Sequence, residues 1–163
     1  TVIATAGSDD KCAACLGLGA DHAINYRTQD WAAELQKATN GQGVNLIVDF
    51  IGGTFFQGNL SAAARDGRVV ILGLMGGTKV PGTADIGALL AKRVRVEGST
   101  LRSRELDYQR RLRDTLVEHA LPRFQDKSFK IFVERLFSFK DIAEAHRVLE
   151  SNATKGKLIC VID

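Results

Sequence analysis

The sequence predicts an α/β fold built on a parallel sheet, and three observations carry that expectation. Short runs rich in apolar and β-branched residues recur from Thr1 to Glu97. Each run stops at glycine or another turn-forming residue, and a helix-like stretch separates it from the next. Strand, helix, strand repeated in this rhythm means βαβ units, whose strands pair in parallel through right-handed crossovers.

The elements follow in order. TVIATA (1–6) reads as a buried strand ending at Gly7-Ser8. Ser8 can cap the next helix, Asp9 and Asp10 suit its positive end, and Gly19 closes it as a left-handed cap. A short strand is expected over 22–25 and a helix over 30–38, ending in Asn40-Gly41. VNLIVDF (44–50) is strand-like and Gly52-Gly53 punctuates it. A helix over 55–64, a turn at Asp66-Gly67, a strand over 68–72, a Gly-rich loop, a helix over 86–92 and a strand over 94–97 complete the series. Past Ser99 the rhythm changes to a long amphipathic helix (104–120), a strand (131–137), a helix (140–150) and a last strand (157–162). Neither an internal repeat nor a low-complexity linker interrupts the chain.

Composition excludes several classes. At 163 residues, 45% hydrophobic and 25% charged, the chain has enough apolar material for a core. No apolar run approaches the ~20 residues that cross a bilayer, and no leader precedes the first strand, so a soluble protein with no membrane partner is expected. The net charge of +3 is mild, and the one basic concentration, Arg102 to Arg113, also carries Glu105 and Asp107. That pattern reads as a solvated helix face and does not call for nucleic acid. Cys12 and Cys15 form a C-x-x-C, but Ala13 and Ala14 sit between them inside a helix pattern and only His22 lies near. Two small buried thiols are expected there, with no metal. Reduced thiols suit an intracellular compartment.

In open parallel sheets ligands bind beyond the carboxyl ends of the strands. The residues at those ends are Gly7-Ser8, Tyr26, Ile51-Gly52-Gly53, Gly73-Leu74-Met75-Gly76-Gly77 and Ser99-Thr100-Leu101. Any one glycine makes a turn; five small or polar ends on one side make a ligand cleft. A G-x-G-x-x-G phosphate cradle is missing, since Gly17-Leu18-Gly19 ends a helix and Gly41-Gln42-Gly43 precedes a strand. Folds that prefer NAD place an Asp or Glu where Ala6-Gly7-Ser8 stands. Ser8 as a cap, Lys11 as a solvated lysine and Tyr26 as a strand-end aromatic are each ordinary. The absent acid tips the set toward the 2′-phosphate of NADPH.

TVIATAGS (1–8), KC (11–12), LGADHAINYR (18–27), DFIGG (49–53), ILGLMGG (71–77), GSTLRSR (98–104), EAHRVLES (144–151) and GK (156–157) occur in that order. In this the chain resembles the zeta-crystallin-type quinone oxidoreductases of the medium-chain dehydrogenase/reductase superfamily, nearest to the p53-inducible quinone oxidoreductase branch. The resemblance implies a cytoplasmic, homodimeric, zinc-free reductase of quinones and related electrophilic carbonyls. Gly7, Ser8, Lys11 and Tyr26 fall where the family grips the adenosine 2′-phosphate; Gly73, Leu74, Met75, Thr100 and Leu101 fall near the nicotinamide; Asn152 matches a late cofactor contact. No catalytic residue is assigned. An enoyl-thioester reductase and a non-catalytic, crystallin-like nucleotide-binding protein are the alternatives.

The resemblance implies that 1–128 is a partial dinucleotide-binding (Rossmann) domain with its long terminal helix. Residues 129–163 are then a segment of a catalytic domain lying outside this chain. The doubly wound sheet is expected to lack its first strand, which the strand order 3-2-1-4-5-6 places in the middle. The strands at 1–6 and 45–50 must then pair directly or leave open edges. Val94-Arg95-Val96-Glu97 is expected as the outer edge and, through the resemblance, as the homodimer seam.

Overall fold

The computed structural model describes residues 1–162. They form two compact units, Thr1–Arg104 and the described residues from Glu105 onward.

The first unit alternates strands and helices as its sequence pattern demands. Its elements are β1 (Ile3–Ala6), α1 (Asp9–Gly17), β2 (His22–Asn25), α2 (Trp31–Ala38) and β3 (Val44–Asp49), then α3 (Phe56–Ala62), β4 (Ala63–Ile71), α4 (Gly87–Lys92) and β5 (Arg95–Gly98). Ser8 caps α1 with extended backbone, its side chain accepting from the Lys11 amide. Gly19, at φ 105°, turns the chain out of α1 in the left-handed conformation that glycine tolerates.

The sheet is broken in the expected place. β1 pairs in parallel with β2, and β3, β4 and β5 form a separate parallel sheet in that order. Between them lies a slot of about 950 Å³, walled by Thr1 to Thr5 on one side and Val44 to Phe50 on the other. Trp31, Leu35, Phe55 and Asn59 also line it. β1 and β3 each carry a ladder partner on one side only. The two half-sheets nonetheless share apolar packing. Ile24, Leu35 and Ala62 form a buried cluster against Ile3, Trp31, Val44 and Ile47, so α2 covers both. A second cluster of Leu60, Ala63, Val69 and Val94 lies within the three-stranded sheet and its helices, and Ile47 belongs to both.

Several boundaries differ from the sequence pattern. α3 ends at Ala62 instead of continuing to Ala64, and β4 begins at once. Asp66-Gly67 is not a turn before a strand; it lies inside β4, where the register jumps from Val44↔Ala63 to Leu46↔Arg68. That jump is a bulge, and Asp66 carries its positive φ of 61°. The cause is tertiary. Ala62 and Ala63 are at most 1% exposed, and a buried backbone there needs either a ladder or another donor. Val44 supplies the ladder, while the Lys92 ammonium donates to the carbonyls of Leu60, Ser61 and Ala63 at 3.3, 2.9 and 3.0 Å. The strand expected over 94–97 runs one residue later, Arg95–Gly98, because Val94 is buried in the core behind the left-handed Arg93.

The second unit comprises α5 (Leu106–His119), α6 (Leu121–Gln125), β6 (Val133–Ser138), α7 (Ile142–Glu150) and β7 (Lys157–Val161). The helix expected to reach Ala120 is interrupted there, since Pro122 in the first turn of α6 lacks the amide that would continue the ladder. β6 and β7 pair in parallel through α7. No helix among the described residues is long and apolar enough to cross a membrane.

Candidate cofactor site

At the carboxyl ends of β1 and β2 the structure gathers Gly7, Ser8, Lys11 and Tyr26. Ser8 Oγ accepts from the Lys11 amide at 3.3 Å, which sets the first turn of α1 against the end of β1. The Tyr26 amide donates to the Ala6 carbonyl at 3.0 Å, carrying the parallel ladder one residue past β2. Tyr26 thereby stands over Gly7. A Cβ placed on Gly7 would lie 2.7 Å from Tyr26 Oη, so a side chain here would push the phenol aside.

Three features of this cluster escape the sequence. The same Cβ position lies 3.4 Å from Arg27 Nε, so a second cation stands beside Gly7 and Tyr26. Phe55, from the turn after β3, meets the Tyr26 ring edge-on at 5.6 Å and stacks on Trp31 at 4.9 Å. This aromatic column anchors Tyr26 to both half-sheets. Asn25, 5% exposed, donates to Asp9 Oδ1 at 2.7 Å and accepts from the Arg27 amide at 3.1 Å. Asp9 is therefore engaged with Asn25, which leaves Gly7 and Ser8 as the groups ending β1.

On the other half-sheet, the loops after β3 and β4 close on each other. Gly53 donates to the Gly77 carbonyl at 2.9 Å, Met75 to Phe50 at 3.1 Å and Gly76 to Ile51 at 2.7 Å. Gly52 sits at φ 80°, where a side chain would meet Leu74 Cδ2 at 2.6 Å. Gly73, Leu74 and Met75 form the rim of this platform, with Met75 83% exposed. Ser99 continues the ladder past β5 by donating to the Ile71 carbonyl at 3.0 Å, which brings Thr100 and Leu101 to the end of the same half-sheet. Asn152 belongs to the second unit. It takes a left-handed φ of 54° directly after α7, its amide donating to the Leu149 carbonyl, and there it serves as a helix terminus.

The C-x-x-C is not a disulfide: Cys12 is buried and Cys15 half-buried, both as free thiols. Burial, then the nearby Cys15 and Asp9, push the Cys12 thiol above its ordinary range. Cys12 should therefore stay unlabelled by iodoacetamide at neutral pH while Cys15 and Cys160 react, as read by mass spectrometry. Labelling of Cys12 first would contradict this. No three His, Cys, Asp or Glu side chains among the described residues gather as metal ligands.

Residues 1–118 match the family model described as zinc-binding dehydrogenase. The chain belongs to this family. Although the family's description names zinc, the described residues supply no ligand set for it. The chain is 29% identical over 97% of its length to quinone oxidoreductase-like protein 2 of Bos taurus, covering 44% of that protein. It is 26% identical over 98% of its length to quinone oxidoreductase 1 of Escherichia coli, covering 49% of it. Among solved structures, E. coli quinone oxidoreductase complexed with NADPH superposes at a TM-score of 0.78 and 27% identity, over 98% of this chain and 49% of that one. An NAD-dependent alcohol dehydrogenase superposes at 0.78 and 32% identity, over 98% of this chain and 43% of that one. The chain thus spans less than half the length of these relatives. Its parallel α/β architecture is that of the Rossmann-like cofactor-binding domain of medium-chain dehydrogenase/reductase enzymes, and its relatives are oxidoreductases.

Proposed function

We propose that this chain carries the cofactor-binding part of a cytoplasmic NADPH-dependent quinone reductase that transfers hydride without zinc to quinones or related electrophilic carbonyls. The observation that carries the reading is the end of β1. Where a carboxylate would hold a ribose 2′-hydroxyl, Gly7 lies bare beneath Tyr26 Oη with Arg27 Nε beside it, and Lys11 stands in the first turn of the adjoining helix. A phenol, a guanidinium and an ammonium are donors that suit a phosphate and repel none of its charge. The helix start adds backbone amides and a favourable dipole.

Each residue then has a part. Gly7 and Ser8 leave room for the phosphate and cap the helix facing it. Lys11, Tyr26 and Arg27 hold its charge. Gly73, Leu74 and Met75, with Thr100 and Leu101, form the platform for the nicotinamide half, and Asn152 matches a late cofactor contact by resemblance alone. NADPH supplies the hydride; the protein supplies its position and shields it from water. Quinone-dependent oxidation of NADPH by the longer protein containing this chain tests the activity. Turnover of enoyl thioesters in place of quinones would support the related reductase reading instead, and cofactor binding without turnover of either would leave a binding protein.

The partner in this reading is a second copy. Among the described residues β5 is the outer strand of its sheet and pairs only with β4, and an edge of that kind is a template for a symmetric partner. Val96→Pro, in protein that retains its circular dichroism, should convert a dimer to a monomer in sedimentation velocity. An unchanged dimer would count against the seam.

A further inference from the structure

We propose that Asp49 is a positioning residue for the nicotinamide half of the cofactor, acting through the two glycine-rich loops; this rests on the cofactor reading above. Asp49 ends β3 and is 4% exposed. A buried carboxylate is costly unless donors surround it. Its partners are two backbone amides and one side-chain amide rather than a cation. Oδ1 accepts from Ile51 N at 2.7 Å and from Gly52 N at 3.1 Å, while Oδ2 accepts from Gly52 N at 3.2 Å and from Asn59 Nδ2 at 2.9 Å. Its own carbonyl accepts from Leu72 N at 2.7 Å and Gly73 N at 3.3 Å. One residue therefore ties the loop after β3, the helix α3 and the loop after β4 to a single point.

The consequences run through the loops. Gly52 is in a left-handed conformation that its amide bonds to Asp49 hold in place. Gly53 packs so closely on the Lys79 carbonyl that a Cβ would stand at 2.3 Å from it, and a Cβ on Gly76 would stand 2.3 Å from Thr54 Oγ1. With no side chains on Gly52, Gly53, Gly76 and Gly77 to hold them apart, the two loops join by backbone hydrogen bonds between Gly53 and Gly77, Gly76 and Ile51, and Met75 and Phe50. The docking is correct only while the first loop keeps its shape, and Asp49 sets that shape. Removing its acceptors leaves the Ile51 and Gly52 amides without partners in a buried setting, and the loop must refold to hydrate them. The rim at Gly73, Leu74 and Met75 then loses its support. Gly7, Ser8 and Lys11 are carried by the other half-sheet and keep their place.

The test compares the longer protein containing this chain with its Asp49→Ala and Asp49→Asn variants, titrated with NADPH and with 2′,5′-ADP, which has the phosphate but no nicotinamide. Amide exchange at Ile51, Gly52 and Cys12 is measured in parallel. Asp49→Ala should weaken NADPH about tenfold or more and speed exchange at Ile51 and Gly52 by a similar factor. The affinity for 2′,5′-ADP should stay within about twofold, since no phosphate contact is lost. Asp49→Asn keeps the volume and one accepting oxygen, so it should restore most of the NADPH affinity. Should Asp49→Ala fail to fold, Asp49→Asn still has to show faster exchange at Gly52 and a loss confined to NADPH. Equal losses for the two ligands, or unchanged exchange at Gly52, overturn the proposal. Wild-type longer protein that binds neither ligand overturns the cofactor reading itself and this proposal with it; binding of 2′,5′-ADP as tight as NADPH overturns the proposal alone.

Discussion

Lys11→Ala should weaken NADPH binding roughly 10- to 100-fold and leave NADH nearly unchanged. The magnitude is that of a hydrogen bond to a charged group, about 1.5–3 kcal/mol. Lys11 lies in the first turn of α1, whose start Ser8 fixes against the end of β1. From there its side chain is long enough to reach the spot beside Gly7 where Tyr26 Oη and Arg27 Nε stand. NADH has no phosphate at that position, so the same substitution removes nothing from it. Both dissociation constants must be compared at one ionic strength, because salt screens phosphate contacts. Equal losses for the two cofactors would mean that Lys11 only supports the helix.

Gly43→Ala should destabilise the first unit by about 3 kcal/mol or more, enough to leave much of a marginal domain unfolded. Gly43 takes a φ of 74°, which an alanine tolerates poorly. A Cβ there would also lie 2.5 Å from the Ala62 carbonyl and 2.8 Å from the Ala64 amide. Those atoms are backbone at the buried junction of α3 and β4, so they cannot rotate away as a side chain would. Urea denaturation followed by circular dichroism measures the loss. A midpoint within experimental error of wild type would show that the junction is softer than its packing indicates.

The order of strands and helices was readable because each signal is local. β-branched runs, the Ser8 cap and the Gly19 exit depend on neighbours within a turn or two. The break in the sheet was readable from the resemblance, which implies a missing first strand, together with the strand order of the fold, and β1 and β3 do face an open slot. What stayed hidden depends on distant partners. Asp66-Gly67 has the composition of a turn, yet pairing of Ala63 with Val44 draws it into a strand as a bulge. Arg27 reads as an ordinary solvated residue until Tyr26 folds over Gly7. Phe55 reaches Tyr26, and Trp31 stacks on Phe55, only because α2 and the turn after β3 meet at the slot. Asp49 sits within DFIGG, but its role depends on Asn59, ten residues on, and on the Leu72 and Gly73 amides. Asn152 lies in the second unit, so the sequence pattern placed it by resemblance and not by any local physical signal.

The central claim is that the ends of β1 and β2 read a 2′-phosphate, and the most direct measurement is the pair of dissociation constants for NADPH and NADH on the unmodified longer protein containing this chain. Calorimetric titration at a single, moderate ionic strength gives both. With Lys11, Tyr26 and Arg27 around Gly7, NADPH should bind at least about tenfold more tightly than NADH, and the gap should narrow as salt is raised. Equal affinities, or tighter binding of NADH, would contradict the account.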